Sequence, residues 1–431
     1  MKLLFLTTLG RPIDTEHIFT LNVLKGLCCK LDSTGDELAI ATIFTDSLSG
    51  TAYIVESRYY GKVHYQLHLS PSLSEEVMIA EIAKLFRYIN PTIIHSNMTE
   101  VVDVAAAKLC RIPIILTIHI GGSLCPRGNI HGFLKYDNSI CDTKISKACF
   151  KCCAADLPLP ALSRFLYWLI PNRLKEWAYH KFKGKQIFYL TQFLIGSHEI
   201  QLRLRALDIY RYATIIAANH RLKDLLALNG LTDNVILLPH GVEPRPRLPI
   251  PSVDGKVKFY YLGRMQYAKG LHVLLQALEG IDNSLYELHV IGDTAPGRKA
   301  AKYKERIQHL AQGKPVVFHG ELPNADLESV IKDMHVMVHP TICMEVYGLT
   351  IAESHSIGRP VIATRCGGSE MQVVDGVNGW LVAPNDVKAL HKKIVEVINH
   401  KEQITPMGAN CRLSHPIGEY VNRLTEIYTK L

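Results

Sequence analysis

Along most of this chain, apolar runs of strand length alternate with amphipathic segments of helical period, and that alternation constrains the fold more than any other feature. In the first half, residues 2–7, 38–44, 61–69, 92–95, 113–118, 212–217 and 235–238 read as strands, with helices at 19–31, 75–88, 101–110 and 221–228. Strands buried on both faces and joined by helices form parallel sheets covered on either side. The string 238–251 breaks the rhythm with five prolines and reads as a connector. Strands return at 257–262, 287–292, 316–319, 335–339, 360–363 and 380–382. The expected fold class is α/β, with two Rossmann-like doubly wound parallel-sheet domains, 1–245 and 246–414, facing a central cleft. A last helix, 415–431, carries Tyr420, Leu424, Ile427 and Tyr428 on one face; it suits packing on either domain, and return to the N-terminal domain is expected. Open α/β sheets bind ligands at the carboxyl ends of their strands, so the loops after Leu262, Gly292, His319 and His339 are expected around one molecule.

With 431 residues the chain can bury two separate cores. No apolar run approaches the roughly 20 residues that a membrane span needs. Thr7, Thr8, Gly10 and Arg11 cut short the apolar start, which favours a buried first strand over a signal peptide. Eleven cysteines without an export signal point to reduced thiols and a cytoplasmic location. The formal net charge of +8 suits an anionic partner, whether nucleic acid, nucleotide-sugar or lipid headgroup. No zinc-finger, helix-turn-helix or RNA-binding signature is present in the sequence, so nucleic acid is not an expected partner.

Two half-sites carry the chemistry. Strand 257–262 is followed by Gly263-Arg264 and then, five residues beyond Arg264, by Lys269-Gly270 at the start of an amphipathic segment. A guanidinium and an ammonium on such a strand–loop–helix can set two fixed cations on a diphosphate. After strand 335–339, Glu345 and Glu353 stand eight residues apart, with Gly348 between them and the first turns of a helix expected over 349–356. That helix N-terminus, with the N–H groups of Gly348 and Leu349, suits a phosphate. The flanking carboxylates would repel phosphate and suit hydroxyls of a sugar and a ribose. Taken singly, each half-site reads equally as solvated surface charge or as an acid favoured by a helix dipole.

Together, Gly263-Arg264, Lys269-Gly270, Glu345 and Glu353 resemble the donor site of family 4 of the retaining GT-B glycosyltransferases, over about 237–384 and more loosely through the first half. The resemblance implies GT-B architecture and an enzyme that moves a sugar from a nucleotide-diphosphate sugar to a hydroxyl. It further implies retention at the anomeric carbon and no metal in the transfer step. Arg264 and Lys269 would hold the diphosphate with Gly263, Gly348 and Leu349 beside them, Glu345 would meet the transferred sugar and Glu353 the ribose. His119 matches a family histidine at the donor sugar, although Ile120 replaces the Asp that commonly follows, and a hydrogen-bonded core histidine is the equal alternative. Gly10 could approach the diphosphate from the first domain, yet stands alone where relatives carry a glycine pair. Glu321 and Leu322 would border the base through backbone groups. Gly367-Gly368 with Glu370 resembles the stretch that closes the donor pocket in the family.

Two further segments stand apart. Cys125, Cys141, Cys149 and Cys152, spaced C-x15-C-x7-C-x2-C within a polar insertion at about 120–156, suit a structural zinc, with Cys153 spare; buried free thiols are the alternative. Segment 157–207 sets Phe165, Tyr167 and Trp168 beside Lys175, Lys181, Lys183 and Lys185, as an anionic bilayer surface would favour. It reads equally as a helical hairpin packed on the first domain. If it meets lipid, the acceptor would be a glycan or lipid-linked saccharide of surface polysaccharide or lipopolysaccharide synthesis, at the inner face of the membrane. A nonenzymatic nucleotide-sugar sensor or scaffold is the competing reading, and the intact charges at 264, 269, 345 and 353 count against it.

Overall fold

A computed structural model describes residues 1–7, 16–47, 51–98, 101–119, 124–128, 133–157, 159–182, 188–253 and 255–431. The chain divides into two compact units: Met1–Asn129, Asp142–Gly241 and Pro416–Leu431 form the first, Ile130–Cys141 and Val242–His415 the second.

The first unit holds β1 (Lys2–Leu6), β2 (Glu37–Phe44), β3 (Tyr53–Tyr59), β4 (Lys62–His68), β5 (Ile93–Ser96), β6 (Ile114–Thr117), β7 (Thr214–Ala217) and β8 (Val235–Leu237). They form one sheet in the order β3-β4-β2-β1-β5-β6-β7-β8, parallel except for the antiparallel pair β3 and β4. Strands β5 and β6 are buried at every position, as a sheet covered on both faces requires. Strand β3 is absent from the sequence reading. Residues 53–56 are all exposed, so no inside–outside alternation marks the strand, and only the Tyr60-Gly61 turn announces it. The terminal helix Ile417–Lys430 buries Ile417, Tyr420, Val421, Leu424 and Tyr428 along one stripe. Inside this unit it packs on helix Glu16–Thr34, where a side chain added at Gly26 would meet Val421 at 2.7 Å.

The second unit holds β9 (Val257–Leu262), β10 (Tyr286–Ile291), β11 (Val316–Gly320), β12 (Val336–His339), β13 (Val361–Thr364) and β14 (Gly379–Val382). Their order is β11-β10-β9-β12-β13-β14, all parallel. Alternate residues feed separate cores: Phe259, Tyr261, Leu288 and Val338 belong to one cluster, Tyr260, Ile291 and Met337 to the other. The strand order reverses between β9 and β12, and such a reversal opens a crevice at the carboxyl ends of the two strands.

Segment 157–207 is helical, with Pro160–Leu169, Asn172–Phe182 and the start of Phe188–Tyr210 built on a small core of Phe150, Ala154, Leu157, Tyr167, Phe193, Leu194 and Ile200. This corrects two of its expected surface residues. Tyr167 is buried and stacks on Phe150 at 4.0 Å, while the Lys175 ammonium donates to the Tyr167 carbonyl at 2.8 Å and lies over its ring. Phe165 and Trp168 do face solvent, at 63% and 66% exposure. Lys183 and Lys185 lie outside the described residues.

Candidate functional site

The strand reversal in the second unit places the loop after β9 next to the loop after β12, and these are the loops that carry the paired half-sites. The first loop ends in a short 3-10 turn, Tyr267–Lys269, closed by Gly270 at φ 73°. A Cβ at Gly270 would fall 1.9 Å from the Pro340 carbonyl oxygen, so only glycine lets the loops approach. The Lys269 ammonium donates to Glu345 Oε2 at 2.5 Å. Their side chains are 27% and 16% exposed.

Burial works against both charges, yet each is held in its ionised form. Desolvation lowers Lys269, but the Glu345 carboxylate outweighs it and holds the ammonium above its ordinary range. Desolvation raises Glu345, but Lys269, then His339, outweigh it and hold the carboxylate below its ordinary range. Arg264 lies near enough to lower both groups electrostatically, and its carbonyl accepts the Tyr261 hydroxyl at 2.7 Å. Arg264, Lys269 and Glu345 thus share one patch of the second unit.

Glu345 is fixed through its backbone as well. Its N–H donates to the Cys366 carbonyl at 2.8 Å and its carbonyl accepts from Gly368 N–H at 2.9 Å, so the Gly367-Gly368 stretch braces the loop. Gly367 N–H in turn donates to Glu370 Oε2 at 2.9 Å. Gln372 Nε2 donates to the Tyr347 carbonyl at 2.5 Å. Helix Leu349–Ser356 starts at the expected residue, with Gly348 as a left-handed cap and no side chain bonded over its first turn. A Cβ at Gly348 would lie 3.5 Å from Glu345 Cγ, so this helix mouth opens beside the carboxylate. Glu353, one turn further in, pairs with Arg245 Nη2 at 3.6 Å. Burial raises the Glu353 carboxyl and the Arg245 charge only partly opposes it.

Glu321 is exposed and Leu322 packs on the core around Tyr260 and Ile291, both after β11, which β10 separates from β9. Gly263 ends β9 and donates to the Ile291 carbonyl at 3.0 Å. Gly10 lies outside the described residues, as do Arg11, Pro12 and Ile120. His119 belongs to the first unit, where Nε2 bonds to Asn97 Oδ1 at 2.8 Å and the ring lies 5.2 Å from His240 and 5.5 Å from Phe19. Burial lowers His119 to about 4, so the ring is neutral at pH 7.

The thiols fall into two groups. Cys125, Cys149 and Cys152 lie close enough to Cys153 to raise it, after burial as the larger cause, whereas Cys141 belongs to the second unit. Among the described residues, no set of three or more His, Cys, Asp or Glu side chains is arranged to hold a metal ion, the expected quartet of Cys125, Cys141, Cys149 and Cys152 included.

The sequence reading missed His339 and Arg245. His339 Nε2 stands 3.9 Å from Glu345 Oε2 and 3.4 Å from the Thr341 hydroxyl, and its buried Nδ1 has no hydrogen-bond partner among the described residues. A histidine at the end of a buried strand carries no local signal. Arg245 sat among the prolines of the connector, where its charge reads as solvated.

Solved GT-B glycosyltransferases share the fold: Anabaena Alr3699/HepE in complex with UDP superposes with a TM-score of 0.67 over 100% of both chains, at 18% identity. Residues 247–413 match the family described as glycosyl transferases group 1. An uncharacterized glycosyltransferase of Methanocaldococcus jannaschii is 28% identical over 50% of this chain and 60% of its own length. The O-antigen chain mannosyltransferase C of Escherichia coli is 30% identical over 39% of this chain and 46% of its own. The chain therefore spans about half the length of these curated relatives.

Proposed function

We propose that the chain transfers a glycosyl group from a nucleotide-diphosphate sugar to a hydroxyl acceptor with retention at the anomeric carbon. The observation that carries this reading is the Lys269–Glu345 pair, held at 2.5 Å at the strand reversal and beside an uncapped helix mouth. Departure of the diphosphate is the costly step, and fixed charges aimed at the leaving group are often the largest catalytic contribution. Arg264, Lys269 and the N–H groups of Gly348 and Leu349 take that role. As phosphate arrives, Lys269 turns from Glu345 towards it, and Glu345 is left to accept hydroxyl protons from the transferred sugar. Glu353, oriented by Arg245, accepts from the ribose hydroxyls. Glu321 and Leu322 border the base through backbone groups. The leaving phosphate deprotonates the acceptor on the same face, with no metal in that step.

The acceptor we assign is a glycan or lipid-linked saccharide in surface polysaccharide synthesis. The named activity of the Escherichia coli relative supports this, and so does a surface of the first unit. Leu159, Leu162, Phe165, Trp168, Leu169 and Trp177 are each 49–66% exposed. Lys181 lies over the Trp177 ring at 4.6 Å, and Arg164 and Arg173 belong to the same helices. No helix of the described residues is long and apolar enough to cross a membrane, so these helices lie on an anionic bilayer rather than through it.

Transfer and donor hydrolysis over a panel of UDP-, GDP- and ADP-sugars, with the product anomer read by NMR, tests the chemistry. Turnover of one donor with retention is expected; tight donor binding without turnover on any acceptor would favour the sensor reading. Flotation with phosphatidylglycerol vesicles tests the surface. Phe165→Ala with Trp168→Ala removes about 2 kcal/mol of apolar burial, hence more than tenfold in partitioning, and equal flotation of both proteins would remove the bilayer from the reading.

A further inference from the structure

The outer edge of the first sheet has features that the transfer reaction does not use. Strand β3 is its outermost strand, and among the described residues nothing pairs with its free side. Tyr53, Ile54 and Val55 are 47%, 44% and 42% exposed, so both faces of the strand are open. Exposed edges of this kind are templates for another strand, and proteins that keep them unpaired usually carry charged side chains, proline or a bulge there. Between Tyr53 and Tyr59 there is neither proline nor a bulge. Glu56 and Arg58 are the charged residues of the strand.

The hairpin fixes which backbone groups face outward. Tyr60 at φ 48° and Gly61 at φ 74° form a two-residue turn that joins Tyr59 to Lys62. In such hairpins the residues flanking the turn exchange both backbone hydrogen bonds, and bonded and non-bonded pairs then alternate. Tyr59, Ser57, Val55 and Tyr53 therefore bond inward to β4, and the N–H and C=O groups of Arg58, Glu56 and Ile54 point out.

We propose that β3 is the dimerisation edge of this protein and pairs antiparallel with β3 of a second copy about a two-fold axis at Ser57. Charge selects that register. It sets Glu56 against Arg58 of the partner subunit, and Arg58 against Glu56 of the partner subunit, at outward-bonding positions. Val55 then lies opposite Tyr59 of the partner subunit. An axis at Glu56 would oppose two carboxylates, and an axis at Arg58 two guanidinium groups. Glu56 Oε1 accepts from the exposed Tyr88 hydroxyl at 3.3 Å and Arg58 Nη1 donates to the Gly61 carbonyl at 3.1 Å. Tyr88, itself 67% exposed, extends the apolar margin on the Glu56 side. The pairing is isologous and closed, so it gives dimers and not filaments.

Sedimentation equilibrium of the full chain across the micromolar range tests this. The wild type is expected at twice the 48.3 kDa of one chain. Glu56→Arg alone and Arg58→Glu alone each set like charges at both contacts and weaken the dimer by roughly tenfold or more. Mixing the two variants in equal amounts restores opposite charges at every contact and restores the dimer, as does the double exchange within one chain. A monomeric wild type would overturn the proposal, and so would a dimer indifferent to the single reversals or a mixture that fails to reassociate. Because both side chains are exposed, circular dichroism of the variants is expected to match the wild type.

Discussion

Replacing Glu345 by Gln keeps the size of the side chain and removes its charge, which separates its catalytic part from its structural one. At an effective dielectric constant of about 20, two unit charges about 4 Å apart attract by about 4 kcal/mol. Desolvation of two side chains only 27% and 16% exposed cancels much of that. The pair stands between exposed pairs at about 0–1 kcal/mol and buried ones at about 3–5 kcal/mol, so its loss costs about 1–2 kcal/mol. For a domain of this size that is a Tm lower by about 3–6 °C. Turnover is expected to fall about 100-fold or more, the cost of one group that acts on the transition state. The sign of the pH dependence follows from the shifts. Glu345 is lowered in the folded protein, so its share is present above the ordinary carboxylate value of 4.5 and fades as pH falls through the still lower folded value. Lys269 is raised, so its share is present below the ordinary 10.5 and fades only as pH rises through the higher folded value. The Tm gap between wild type and variant is therefore constant across neutral pH. Thermal unfolding and initial transfer rates of Glu345→Gln, Lys269→Ala and the double variant supply the measurement. Each single variant leaves one charge unpaired, so the double variant should lose about 1–2 kcal/mol less than the sum of the singles. Strictly additive stabilities, or a Glu345→Gln rate within threefold of wild type, would refute the reasoning.

Gly270→Ala drives a methyl to 1.9 Å from the Pro340 oxygen at a left-handed φ, so the two site loops must separate. A loss of about 2–4 kcal/mol is expected, read by urea unfolding, together with loss of donor binding; an unchanged midpoint would show that the loops can yield. Burial lowers His95 to about 3 and His119, His272, His335, His339 and His355 to about 4. These rings bind protons more readily in the unfolded chain, so stability is complete above pH 6.5 and falls towards pH 4, by up to about 1.4 kcal/mol per pH unit for each. Tm between pH 7.5 and 5 should drop steeply, and a flat profile would contradict the buried neutral rings. Arg359 is fully buried and donates to the carbonyls of Leu248, Pro249 and Lys332, each at 2.9 Å. Arg359→Met leaves all of them unpaired, for an expected loss of about 3–5 kcal/mol in chemical denaturation.

What the sequence disclosed and what it withheld divide along a physical line. Gly348 and Leu349 were legible as the start of a helix because a glycine turn and the apolar period after it act within a few residues of one another. The neighbourhood of Arg264, Lys269 and Glu345 was legible for a different reason: a doubly wound order joins the loop after β9 to the loop after β12 across 76 residues of chain, and only the resemblance to a known donor site supplied that order beforehand. His339 and Arg245 act on Glu345 and Glu353 through tertiary contact alone, so nothing nearby in the chain distinguishes them from a core histidine and a solvated arginine. Tyr167 and Lys175 failed in the opposite direction. Composition placed an aromatic and a cation at the surface, and the fold turned them on each other, at 3.7 Å from ammonium to ring centroid. Strand β3 shows the limit of periodicity, since a strand open on both faces has no buried side for a pattern to reveal. Its legible mark is the order of its charges. Glu56 and Arg58 flank Ser57 symmetrically, and a palindromic pair of opposite charges on an open edge is complementary to itself only when a second copy runs the other way.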